Sequence, residues 1–229
     1  MKKPRIGIPT NLRDKRFGTN EYYIEWVSQF GTPVLLTPYV PQYGQFDVLF
    51  LPGGKDVLTA EKTFLKGPAD PYLEWFDNMY INKCLLDKKP IIAICRGMQA
   101  LNVHLEGSLR NLNPKECEIH NKASSEEEKN SLVHRLYKIN RIAFDSKHVH
   151  YNVIGEVNSI HHQAIDKLAS TLEATTFSYC RKNSGDMLIE SFRGKGFPAV
   201  GFQWHPEKIW DNFSKEEVKL MLNKYYYVK

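Results

Sequence analysis

The chain has 229 residues, enough for one α/β domain with a sizeable core, and nothing in it forces two. Its 31 lysines and arginines exceed 26 aspartates and glutamates by five, spread along the chain, so no basic tail of the nucleic-acid-binding kind is expected. No stretch reaches the ~20 apolar residues of a membrane span, and Met1-Lys2-Lys3-Pro4-Arg5-Ile6 lacks the apolar run of a signal peptide. A cytoplasmic protein is therefore expected, with Cys84, Cys95, Cys117 and Cys180 as free thiols.

Apolar runs alternate with helical patterns, which predicts a mostly parallel sheet with helices on both faces. Residues 5–9 read as a first strand. Tyr23, Trp26, Val27 and Phe30 then recur at helical spacing, with Gly31 as the expected C-cap. Residues 33–37 and 47–51 are the next strands. Asp70 followed by Pro71 marks a helix start, because aspartate caps the free amides and proline suits the first helical position. That helix should run to about residue 87. Residues 90–94 form a continuous apolar strand of the type buried on both faces, and a helix follows Cys95 to about residue 105.

Residues 113–148 are less regular, and the polar stretch 124–130 reads as a surface loop or lid. Residues 172–180 and 187–192 look like paired strands around a Asn183-Ser184-Gly185-Asp186 turn, and residues 199–204 are another strand. Ser214-Lys215-Glu216-Glu217 has the form of a capping box, followed by Val218, Met221, Leu222 and Tyr225 on one helix face.

The chemistry centres on Cys95. In Ile91-Ile92-Ala93-Ile94-Cys95-Arg96-Gly97-Met98-Gln99 a cysteine stands between a buried-strand pattern and a helix start. Such a turn lies at the carboxyl edge of the sheet, where open α/β folds bind ligands. A helix N-terminus favours thiolate. Ala93 and Gly97 let the backbone pass closely, as a nucleophile elbow requires. The amide of Arg96 would then face an oxyanion beside Cys95. The alternative is a buried core cysteine, since free cysteine is among the most buried residue types.

Phe202-Gln203-Trp204-His205-Pro206-Glu207 supplies a histidine and a carboxylate two positions apart at the exit of a strand. A cysteine nucleophile, a histidine that moves the proton and a carboxylate that fixes the imidazole tautomer are the parts of a triad. The paired glycines of Leu51-Pro52-Gly53-Gly54-Lys55-Asp56 suit a loop whose backbone approaches a substrate, with Gly54 as a second oxyanion donor; they also suit an ordinary turn. His148 and His150 have no acidic cluster beside them and do not read as a metal pair; His120 and His134 are candidates for a lid over the site.

With these segments in order, the chain resembles the class I glutamine amidotransferase-like family, in particular its γ-glutamyl-γ-aminobutyrate hydrolase group, peptidase C26. Arg5-Ile6-Gly7-Ile8, Gly31-Thr32-Pro33-Val34-Leu35-Leu36 and Val157-Asn158-Ser159-Ile160-His161-His162-Gln163 carry the resemblance with the three motifs above. It implies a flavodoxin-like α/β fold in one domain over residues 1–229. It implies Cys95 as nucleophile, His205 as acid/base, Glu207 as its orienter, Gly54 and Arg96 amides as the oxyanion hole, and Gln99, His161, His162 and Gln163 along the glutamyl pocket. The reaction implied is hydrolysis of a small-molecule γ-glutamyl amide through a thioester, with no metal or organic cofactor needed. The alternative is a glutaminase component that passes ammonia to a separate synthetase; a homodimer is the other candidate assembly. Glu106-Gly107-Ser108 departs from the family pattern, as does the absence of a proline after Val57.

Overall fold

The fold is described from a computed structural model, for residues 2–13, 16–38, 40, 42–58, 69–120, 134–140, 150–179 and 186–228. Five short apolar strands form a parallel sheet: β1 (Arg5–Pro9), β4 (Thr32–Leu36), β5 (Val48–Leu51), β6 (Ile91–Ile94) and β13 (Ala199–Phe202). They lie in the order β4-β1-β5-β6-β13. β12 (Met187–Gly194), β11 (Leu172–Tyr179), β8 (His134–Asn140) and β9 (His150–Val157) continue the sheet antiparallel, giving nine strands. Two small pairs stand apart, β2 (Asn11–Arg13) with β3 (Arg16–Gly18), and β7 (Ser108–Asn111) with β10 (Gln163–Lys167).

Strand alternation sends each strand's side chains to two cores. Val48, Phe50, Ile92, Ile94, Val200 and Phe202 face one, where α1 (Glu21–Ser28) and α6 (Asn212–Tyr225) bring Trp26, Val27, Val218 and Leu222. Leu49, Leu51, Ile91 and Ala93 face the other, under α2 (Pro71–Leu86) and α3 (Arg96–His104) with Phe76, Ile81, Met98 and Leu101. Both faces of β5 and β6 are thus covered, which is why they read as unbroken apolar runs. Each large side chain buried this way contributes about 1.5–3 kcal/mol. Two short α-helices, α4 (Pro114–His120) and α5 (Pro206–Ile209), and a 3₁₀ turn at Tyr43–Gln45 complete the described fold. No described helix is long and apolar enough to cross a membrane.

Asp70 caps α2 as expected, accepting from the amides of Tyr72 at 3.0 Å and Leu73 at 3.3 Å. Two expected caps are displaced. α1 ends at Gln29, and Gly31 serves a close approach instead: a Cβ there would lie 2.3 Å from the carbonyl oxygen of Pro4. α6 starts at Asp211, not Ser214; the Asp211 carboxylate accepts from the Ser214 amide at 2.8 Å and also from the indole of Trp204 at 3.0 Å. That second bond holds Asp211 against the core and sets the helix start one turn earlier. Residues 113–148, expected to be irregular, contain α4 and β8, while the 124–130 stretch and the 183–185 turn lie outside the described residues.

Candidate active site

The loops after β5, β6 and β13 converge at the carboxyl edge of the parallel strands. Cys95 directly follows β6 and takes φ 48°, ψ −108° before α3 begins. A left-handed φ at a non-glycine residue costs about 1–3 kcal/mol, and here it turns strand into helix within one residue. The Cys95 amide donates to the carbonyl of Phe202 at 2.7 Å, and the Cys95 carbonyl accepts from the Gln99 amide at 3.1 Å. The elbow is therefore bonded to β13 on one side and to its own helix on the other. Gly97 is needed because a Cβ would fall 2.2 Å from the carbonyl oxygen of Leu51.

His205 and Glu207 flank Pro206, the first residue of α5. The His205 Nδ1 is 2.7 Å from a Glu207 carboxylate oxygen, which can only accept, so Nδ1 carries the proton and Nε2 is left for the thiol side. The imidazole lies beside the Cys95 side chain, with His205 Cε1 and Cys95 Cβ 3.1 and 3.7 Å from the point that a Cβ on Gly53 would occupy. Burial opposes a charge on His205, but Glu207 and Cys95 together outweigh it and push the imidazole up to about 10. Glu207 itself is buried. A charged histidine beside a sulfur, held by a buried carboxylate, is equipped to move a proton onto a leaving group.

Gly53 is wedged into this centre: a Cβ there would lie 2.6 Å from the Tyr23 hydroxyl, 3.1 Å from His205 Cε1 and 3.7 Å from Cys95 Cβ. Its amide donates to the Tyr23 hydroxyl at 3.1 Å. Gly54 stands beside Arg96, whose Cδ would be 3.7 Å from an added Cβ. The Arg96 side chain turns away from the centre, buried against Asp77 and paired with Glu74 at 2.6 Å. Glu74 in turn accepts from the Leu58 amide at 3.0 Å, so one ion-pair cluster braces both the elbow and the loop after β5.

Gln99 reaches the sulfur through a relay. Its amide nitrogen donates to Gln203 Oε1 at 3.1 Å and to the Gln163 carbonyl at 3.0 Å, and Gln203 Nε2 lies 3.7 Å from Cys95 Sγ. Gln163 donates to Asn111 at 3.1 Å. The two adjacent histidines part company. His162 is partly exposed and stands 2.7 Å from Asp56, on the loop after β5. His161 is buried and turns inward, toward Glu190. His120, expected in a lid, is buried at the end of α4.

Sequence reasoning gave no role to Asn158, Gln203, Asp56 or Tyr23. Asn158 clamps the backbone of His205, accepting its N–H at 2.9 Å and donating to its carbonyl at 3.2 Å. Asn158 and Gln203 sit inside quoted motifs, so their position was the available signal; Tyr23 reads only as a core residue.

A family model for peptidase C26 matches residues 6–207. The chain belongs to the peptidase C26 family. Among its relatives is protein NtpR of Enterococcus hirae, 32% identical over 193 residues, covering 77% of this chain and 75% of NtpR. The γ-glutamyl-γ-aminobutyrate hydrolase PuuD of Escherichia coli K12 is 29% identical over 185 residues, covering 76% of this chain and 68% of PuuD. A glutamine amidotransferase structure from Thermotoga maritima superposes with a TM-score of 0.55 at 17% identity, covering 99% of this chain and 92% of that one, a likeness of fold. As a C26 member with these relatives, the chain is a glutamine amidotransferase-like hydrolase with the fold of the class I glutamine amidotransferases.

Proposed function

We propose that this protein hydrolyses a γ-glutamyl amide to glutamate and an amine, with Cys95, His205 and Glu207 as its catalytic residues. The supporting observation is the line from Cys95 through His205 to Glu207, with the cysteine on a strained strand-to-helix turn. The Cys95 thiolate attacks the γ-carbonyl carbon, forming a C–S bond, and the carbonyl electrons move to an oxyanion facing the amides of Gly54 and Arg96. The C–N bond breaks as His205 gives its proton to the departing amine. Water then loses a proton to His205 and attacks the thioester; the C–S bond breaks, releasing glutamate and restoring the thiolate. Glu207 keeps Nδ1 protonated and supports the charged ring throughout. Gln99, His162 and Gln163 are assigned to the walls of the glutamyl pocket.

The relative PuuD is named for a substrate with a substituted amine. A preference for such amides over plain glutamine is therefore expected here. Glutamate release by purified protein from glutamine and a panel of γ-glutamyl amines tests this. Turnover of a substituted amide by the protein alone supports the proposal. Activity on glutamine only, and only after a synthetase is added, would favour an ammonia-delivering component instead.

A further inference from the structure

Behind the Cys95 centre lie two histidines and a carboxylate that the proposed reaction does not use. His120 ends α4, His161 sits in the loop before β10, and Glu190 lies within β12; their exposures are 0%, 3% and 0%. Their ligand-capable atoms lie within 4.8 Å of one another. His120 Nδ1 is 3.8 Å from Glu190 Oε1, and His161 Nε2 is 3.9 Å from the same oxygen.

The proton positions follow from the partners. His120 Nε2 is 3.1 Å from the Tyr179 carbonyl, and His161 Nδ1 is 2.8 Å from the Gln163 carbonyl. A carbonyl can only accept, so these two nitrogens carry the protons. This leaves His120 Nδ1 and His161 Nε2 as the nitrogens turned toward Glu190, the orientation that a cation held between the three side chains requires.

The surroundings match those of a metal site. Ligating histidines almost always donate their second N–H to a carbonyl or carboxylate, and ligating carboxylates are themselves hydrogen-bonded. Both histidines have the required carbonyl, and the Ser178 hydroxyl donates to Glu190 at 2.6 Å. Ser159 lies 3.3 Å from His120 Nδ1, near enough to complete a fourth position directly or through water. Two imidazoles and one carboxylate are too rich in nitrogen for calcium or magnesium and lack the sulfur that copper(I) selects. Zinc–ligand bonds of about 2.0–2.2 Å set neighbouring ligand atoms roughly 3.3–3.5 Å apart, so each histidine nitrogen closes on Glu190 by about half an ångström, and the three side chains draw together from within 4.8 Å of one another.

We propose that His120, His161 and Glu190 form a binding site for one divalent transition-metal ion of the zinc class. Such an ion would tie α4 and the 158–163 loop, which carries Asn158, to the antiparallel half of the sheet.

The test uses the full chain, stripped with chelator, loaded with Zn²⁺ or Co²⁺ and desalted. About one metal per chain is expected, with the visible bands of tetrahedral cobalt(II). Loss of an outer-shell partner alone weakens metal sites by about 10–100-fold, so Glu190→Gln and His120→Ala should each bind at least ~100-fold more weakly. Cys95→Ser should bind as the parent does, which separates this site from metal captured by the thiol. Wild-type protein that retains no metal after desalting overturns the proposal whether or not the variants fold. So does binding that survives His120→Ala, or binding that disappears with Cys95→Ser.

Discussion

Replacing Asn158 should uncouple His205 from Cys95 without touching either side chain. Asn158 is fully buried, and its carboxamide closes two hydrogen bonds on the His205 backbone, at 2.9 and 3.2 Å. Asn158→Ala removes both. A buried backbone group that loses its partner costs about 1–3 kcal/mol, and water entering the vacated space recovers part of that, so about 2–4 kcal/mol of stability should be lost. For a chain of this size each kcal/mol moves the melting temperature by about 2–4 °C, giving a fall of about 4–16 °C. The catalytic effect is separate. A misplacement near 1 Å at a reacting centre costs on the order of 100-fold, so kcat for glutamate release should drop by about 10–100-fold while KM changes little. Asn158→Asp is the discriminating partner: it keeps an acceptor for the His205 N–H but sets a carboxylate oxygen against the His205 carbonyl, so it should lose activity with almost no change in side-chain volume. Thermal melts and steady-state kinetics on both variants read these outcomes. An Asn158→Ala protein that melts within about 1 °C of the parent and turns over at the parental rate would refute the clamp.

His205 is raised to about 10 in the folded protein from an ordinary value of 6.5, so the folded state holds this proton more tightly. The stability it contributes is full below about pH 6.5 and is lost as pH rises toward 10. Glu207→Gln removes the main charge that raises it; the melting temperature of the parent minus that of the variant should shrink across this window, and a difference that grows with pH would contradict the assignment. The same substitution should bring the alkaline limb of the pH–rate profile to lower pH. Gly97→Ala must move α3 about 1 Å off the Leu51 carbonyl, since the new Cβ would otherwise lie 2.2 Å from its oxygen; overpacking of this kind costs about 1–3 kcal/mol. Urea unfolding should show that loss together with reduced turnover, because the helix carries Cys95 and Arg96 with it, and parental stability would show that the close approach is not a constraint.

What the sequence made legible follows from burial and proximity in the chain. β5 and β6 are covered on both faces, so their apolar runs stand out. His205 and Glu207 are two residues apart, so their pairing needs no tertiary knowledge. β8 and β9 lie at the far end of the antiparallel extension, where mixed polar and apolar residues blur the period of two. Ser214 mimics a cap because Ser-x-x-Glu fits the pattern; only the Trp204 indole, which lies before the box in the chain and donates to Asp211, shows why Asp211 takes the role. Glu190 falls inside the strand expected over residues 187–192 and carries no signal of its own there. It becomes visible as part of a cluster only when α4 and the 158–163 loop pack onto β12. Arg96 carried an expectation for its amide, and its side chain's task of bracing α2 was not readable from spacing.

The central claim is that Cys95 is the nucleophile, and covalent labelling with a glutamine-like electrophile tests it most directly. Cys95 faces a charged histidine, whereas burial pushes the Cys84 thiol up to about 12, far from ionisation at neutral pH. Peptide mass mapping of the folded protein should therefore find one equivalent of label on Cys95, none on Cys84, Cys117 or Cys180, and loss of glutamate release in step with labelling. Equal labelling of the four thiols, or complete inactivation with Cys95 unmodified, would contradict the account.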